Sequence, residues 1–270
     1  MRALFLASLL ILVPSVALAK RAASRTPVQS AAVAEFILLG NVTEIDKDPV
    51  EAESGPGTKD KIQYTMATVK VNEALRGLKT ETHVKVGFMP SGRSPLNLVE
   101  KQDYLLFLTK HHSGNFYTMN FMSPPLAITK DTNSTVDEVK AVGKILADPA
   151  KALKAEKAED KALAAAALIM HYRSPLESGV EQTLEAVPLA ESQAILQAID
   201  AVDWTATPAV GGFEVTRAFY QLAIGADAGW KQLEPKPGDD ATALLHKAYS
   251  VWLAGPGAKF QIQKFVAKKK

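Results

Sequence analysis

The chain has 270 residues, 47% of them apolar and 22% charged, which is the balance of a globular protein and not of a disordered one. A formal net charge of +2 gives no general reason to bind nucleic acid. With 0 Cys, disulfides, thiol nucleophiles and thiolate metal sites are all excluded.

Met1 to Ala19 reads as a cleavable secretory signal peptide. Arg2 supplies the positive start, and Ala3 to Val13 is an apolar stretch of 11 residues broken by Pro14-Ser15. Ala17-Leu18-Ala19 then places small residues where a signal peptidase cuts. A membrane anchor needs roughly 18 apolar residues or more. The expectation is therefore a soluble exported protein, periplasmic or extracellular, running from Lys20 onward. Loss of Arg2 takes the net charge from +2 to +1, and no cysteine follows to carry a lipid. The one basic cluster, Lys264 with Lys268-Lys269-Lys270, reads as a solvated terminus.

Residues 20–34 show neither period and read as a flexible lead-in. Strands follow, separated by turn chemistry. The first is Phe36 to Ile45, and a polar loop from Asp46 to Lys61 carries Gly55-Pro56-Gly57. Ile62 to Val71 is the second strand, closed by a turn at Glu73 to Gly77. Thr82 to Phe88 is the third, with Val84, Val86 and Phe88 on one face. Ser91 to Lys101 suits a short helix or an ordered loop. Tyr104 to Thr109 and Asn115 to Phe121 form a hairpin whose turn holds His111-His112-Ser113-Gly114. Three strands, a connector and two strands is the order of a five-stranded oligonucleotide/oligosaccharide-binding (OB) barrel, and a small open sandwich fits as well.

The pattern changes at Ser123-Pro124-Pro125. Beyond it Thr135 suits a helix cap, Asp148-Pro149 a helix start, and Ala162 to Met170 a helix buried on most faces. Ser174-Pro175-Leu176-Glu177 has the form of a capping box opening another helix. Pro188 opens a helix with a stripe of Ile195, Ala198, Ile199 and Val202, and Gly255-Pro256 stops the last one. Lys259 to Val266 reads as a short terminal strand. The expected fold class is α+β: an N-terminal OB-like barrel over 35–128, then an all-α domain over 130–270 with a short terminal strand.

Three pieces of the N-terminal half carry a resemblance: Phe36 to Thr43 with Gly40-Asn41-Val42, Ala67 to Val71 running to Ala74-Leu75-Arg76-Gly77, and Asp103-Tyr104-Leu105-Leu106-Phe107-Leu108. Together they resemble the netrin-like module, the OB-type barrel of tissue inhibitors of metalloproteinases and of many bacterial exported proteins. In those inhibitors an N-terminal cysteine holds the target's zinc. Here that cysteine is missing, and Lys101-Gln102-Asp103 stands where a glycine usually precedes the barrel strand. The resemblance implies a fold and an exported setting, and it transfers no site residue. The C-terminal half, in Ala190 to Leu196, Asp203-Trp204 and Val251-Trp252-Leu253, resembles helical regions of uncharacterised bacterial exported proteins.

Candidate chemistry is sparse. His83, His111, His112, His171 and His246 form no pair at metal-ligand spacing, and His111 and His112, being successive, are expected to point apart in a polar turn. Asp46, Asp48, Glu51 and Glu53 crowd one loop without the order of a calcium-binding loop. No Gly-x-Ser-x-Gly, Ser-x-x-Lys or phosphate-binding loop is present. Tyr104, Phe116, Tyr117 and Phe121 cluster on the last hairpin, while Trp204, Trp230 and Trp252 read as core. Asn41 and Asn133 head glycosylation sequons. No catalytic, cofactor-binding or metal-ligating residue is nominated. The reading is an exported, non-enzymatic binding or assembly protein whose partner is a protein or another envelope component. The alternatives are an exported hydrolase with its site between the domains and, further off, a protease inhibitor.

Overall fold

A computed structural model describes residues 24–89, 97–120, 122–176 and 179–268. The signal-peptide reading and Phe121 lie outside them, as does most of the connector after the third strand. The fold is mixed α+β: a seven-stranded sheet is followed mainly by helices. Among the described residues no helix is long and apolar enough to cross a membrane.

The first element corrects the flexible lead-in. Pro27–Val33 is a helix, α1, and Val28, Ala31 and Ala32 on it are buried. Thr26 and Gln29 form a reciprocal capping box with proline at the first turn. Two turns are too short to display a helical period, and it is packing against the helical half that holds them.

The sheet contains β1 (Phe36–Ile45), β2 (Val50–Glu53), β3 (Lys61–Arg76), β4 (His83–Phe88), β5 (Asp103–Lys110), β6 (Tyr117–Met119) and β7 (Leu126–Ala127). β2 lies inside the stretch expected to be a polar loop, where it pairs with the start of β3. β3 runs through the expected turn to Arg76 and only then reverses, at Gly77 with φ 79°. β1 pairs with β3, β3 with β4, β4 with β6, and β6 with β5, while β5 also pairs with β1. The ladders thus return to the strand they began on.

Alternation splits the sheet's side chains between two cores. Leu38 and Val42 of β1, Val69 of β3, Val84 and Val86 of β4, and Leu106 and Leu108 of β5 form one cluster. Ile37 of β1 with Leu105 and Phe107 of β5 face the other way and join the helical core. This is why β5 is buried from Tyr104 through Thr109 and reads as an unbroken apolar run.

The helices are α2 (Asn133–Ala147), α3 (Pro149–Ala152), α4 (Ala158–Arg173), α5 (Leu189–Asp200), α6 (Val215–Gln221) and α7 (Ala241–Ala254). α2 buries Val136, Val139, Val142 and Ile145 along one stripe. α4 is buried from Ala164 through Met170, as its all-round apolar sequence requires. Asp148 caps α3 through the amide of Lys151.

The C-terminal half is not all-α with one terminal strand. β8 (Gln182–Ala186) pairs antiparallel with β11 (Gln263–Ala267), and β9 (Ala209–Val210) with β10 (Phe213–Glu214). No helix opens at Ser174 to Leu176. Pro175 forces Ser174 into an extended conformation (φ −89°, ψ 128°), so the motif ends α4 instead of starting a helix.

Candidate functional site

The five histidines end up in four separate places. His83 lies exposed on β4. At the β5–β6 turn His111 and His112 do not point apart: their ring centroids are 4.4 Å apart and both reach Glu53. The chain bends between the two strands there, so strand alternation no longer applies. His111 Nδ1 accepts from the amides of Ser113 (3.3 Å) and Gly114 (2.9 Å), which leaves Nε2 to donate to the Glu53 carbonyl (3.1 Å). Burial, then the neighbouring His112 charge, lowers the pKa of His111. Phe116 stacks on His111 at 4.5 Å and packs where a side chain at Gly87 would sit. Both ring nitrogens are thereby used to fix the turn. A hollow of about 130 Å³ beside it is lined by Pro56, Tyr64, His111 and His112.

The acidic cluster disperses. Asp46 pairs with Lys85 at 2.8 Å and Glu53 meets His112 at 3.3 Å. Asn41 donates to Asp103 at 2.8 Å. Among the described residues no group of three or more His, Cys, Asp or Glu is placed to hold a metal ion. Tyr104 accepts the Val99 amide, Phe116 and Tyr117 fall in different apolar clusters, and Trp204 and Trp252 are fully buried in the helical core.

The structure also assembles a trio that sequence reasoning missed. Ser250 Oγ donates to Asp200 Oδ1 at 2.5 Å, and His246 Nε2 donates to the Asp200 carbonyl at 3.0 Å while its ring stacks on Trp204 at 4.8 Å. His246 and Ser250 share one face of α7 by their i, i+4 spacing; only the fold brings up the end of α5. The residue types are those of a hydrolase, but the order is wrong. The carboxylate stands between serine and imidazole, so the imidazole is not placed to take the serine proton.

Two larger grooves remain. One, of about 320 Å³, lies between the sheet and α2 and is lined by Ile37, Glu73, Leu75, Val139, Lys140 and Lys144. Its single carboxylate, Glu73, is held by Lys140 at 2.8 Å. The other, of about 350 Å³, lies between α3 and the start of α5, with Ala150, Leu153, Pro188, Ala190 and Ala194 as apolar walls and Lys154 and Glu191 at its edge. Tyr172 fixes Glu191 through a 2.6 Å hydrogen bond, and burial followed by that contact raises the pKa of Tyr172. Among the described residues, neither groove brings together two carboxylates or holds a histidine: Glu73 is the carboxylate of the first and Glu191 that of the second. Both offer apolar surface with fixed charges beside it, which suits binding.

The chain matches no protein-family model, and no curated protein matches it.

Proposed function

We propose that the chain is a non-enzymatic binding or assembly protein, exported to the periplasm or beyond, whose partner is a protein or another envelope component. The N-terminal half is read as an OB-type, netrin-like barrel and the C-terminal half as a mainly helical domain. The ring of ladders β1–β3–β4–β6–β5–β1 supports the barrel reading. The observation that carries the binding role is the mainly apolar groove of about 350 Å³ between α3 and α5, walled by Ala150, Leu153, Pro188, Ala190 and Ala194 with Lys154 and Glu191 as its charged groups.

The rival hydrolase reading needs two or more carboxylates or histidines in the groove between sheet and helices, where Glu73 stands alone among such groups. The test is a pull-down with the mature protein from its own envelope fraction, repeated with Ala194→Glu to fill and charge the groove. Recovery of a partner that Ala194→Glu abolishes is the expected result. Turnover in a hydrolase substrate screen with no partner recovered would overturn the proposal. N-terminal sequencing of the exported form tests the export reading, with a chain beginning near Lys20 expected.

A further inference from the structure

The β8–β11 ribbon has two unlike edges, one engaged by an arginine and one not. Val187 N donates to the Ile262 carbonyl and Lys268 N to the Glu181 carbonyl, both at 2.8 Å, so the odd-numbered residues of β8 aim their main chain at β11. The amides and carbonyls of Gln182, Leu184 and Ala186 therefore aim the other way. No main-chain hydrogen bond meets that outer edge among the described residues. On β11 the corresponding edge is engaged at one end: Arg173 Nη1 donates to the Gln263 carbonyl at 3.1 Å, and its guanidinium lies 5.8 Å over the Phe265 ring.

β8 is also open on its faces. Thr183 through Ala186 are all exposed, and Leu184 is 49% exposed. Val180 and Leu189, at 43% each, flank it, so exposed large apolar side chains gather around this one strand. A free edge with apolar side chains is a template for another strand, and an isolated two-stranded ribbon is marginal by itself.

We propose that β8 pairs antiparallel with β8 of a second copy, across a two-fold axis through Leu184, joining two ribbons into one four-stranded sheet. The strand is complementary to itself. With Leu184 opposite Leu184, Gln182 falls opposite Ala186 and Thr183 opposite Glu185. The outward-aimed even residues meet outward-aimed even residues, as the hydrogen-bonded positions require. No like charges stand directly opposite, and each Glu185 and Glu181 is already matched within its own ribbon by Lys264 and Lys268. On one face Phe265, paired with Leu184 in the ribbon, then continues through two leucines to the second Phe265 as an apolar row. The contact is isologous, so it closes at two copies and does not propagate.

This inference deepens the assembly half of the proposed function and needs no outside ligand. Sedimentation equilibrium of the mature chain from about 1 to about 200 μM spans the range where a small interface associates. The mass is expected to rise from one chain toward two. Leu184→Pro removes an amide that faces away from β11, so the fold is expected to survive while association weakens at least about tenfold. Because the chain has 0 Cys, Leu184→Cys reads the axis directly: hydrogen-bonded partners sit about 5.5 Å apart at Cα, within disulfide reach. It should oxidise to a covalent dimer far faster than Val251→Cys, which is exposed on α7. A chain that stays monomeric throughout, or equal cross-linking of the two cysteine variants, overturns the proposal. If Leu184→Pro does not fold, the cysteine pair decides. A monomer that still recovers an envelope partner would overturn self-pairing and leave the binding role standing.

Discussion

The two cores are built on different terms. The cluster on one side of the sheet is almost wholly Val and Leu with Ala67, Phe88 and Tyr104, and strand alternation selects its members apart from Leu78 and Leu98, which come from the connecting segments. The helical core is Ala-rich around α4 and is closed by polar side chains that bond to main chain from other elements. His171 donates to the Ala32 carbonyl at 2.9 Å, Arg173 to the carbonyls of Gln221 and Gln263, and Arg76 to that of Ala31. Trp204 and Tyr249 likewise donate to the carbonyls of Ile199 and Leu196. One core tolerates exchange of like-sized apolar residues; the other fixes the relative placement of α1, α4, α6 and β11 and is sensitive to charge.

The largest effect expected is from Trp204→Ala, which removes a fully buried ring touching Phe219, His246 and Tyr249. It should cost about 3–5 kcal/mol in urea unfolding, against about 2–5 kcal/mol for Leu106→Ala among the strands. A loss below about 2 kcal/mol for Trp204→Ala would contradict its place at the centre of the helical core.

Next is pH. Burial, with the Arg76 charge second, pushes the pKa of His171 down to about 4 from 6.5. The unfolded chain binds this proton first, so stability is fully present above about pH 6.5 and is lost as pH falls toward 4. The loss attributable to His171 is about 3 kcal/mol. His171→Asn keeps a donor for Ala32 and removes the titration. The variant's stability should therefore decline less than the parent's over that window, and parallel curves would refute the assignment.

Smaller effects probe α1. Thr26→Ala deletes the side chain that accepts the Gln29 amide and should cost about 1 kcal/mol. Ser30→Ala should go the other way by about 0.5–1 kcal/mol, because the Ser30 hydroxyl is buried without a hydrogen-bond partner among the described residues. Thermal melts of the two variants, opposite in sign, separate capping from burial within one helix.

Much of this was legible beforehand, and what was not has physical causes. β1, β4 and β5 declared themselves through Val, Ile and Leu in runs bounded by turns, α5 and α7 through stripes at helical spacing, and α2 only through capping chemistry at Thr135, which lies inside the helix and not at its cap. α1, β2 and β8 did not. Seven, four and five residues are too few to show a period; α1 and β8 exist because a distant segment covers or pairs with them, and β2 because it forms a hairpin with the start of β3. The turn at His111 misled because alternation was carried past the end of β5. The Asp200–His246–Ser250 trio was half visible as an i, i+4 pair on α7, while its third member comes from 46 residues upstream of His246.

α1 has a further consequence, in time and not in energy. Gln29 bonds through Nε2 to the carbonyl of Gly212, 183 residues later in the chain, and His171 is 139 residues from Ala32. A chain made from its N-terminus forward releases α1 before the other described helices and can pack it on α2 early, yet α4 and the β9–β10 turn, which complete its surroundings, emerge much later. The earliest of these helices is thus among the last to have its surroundings completed.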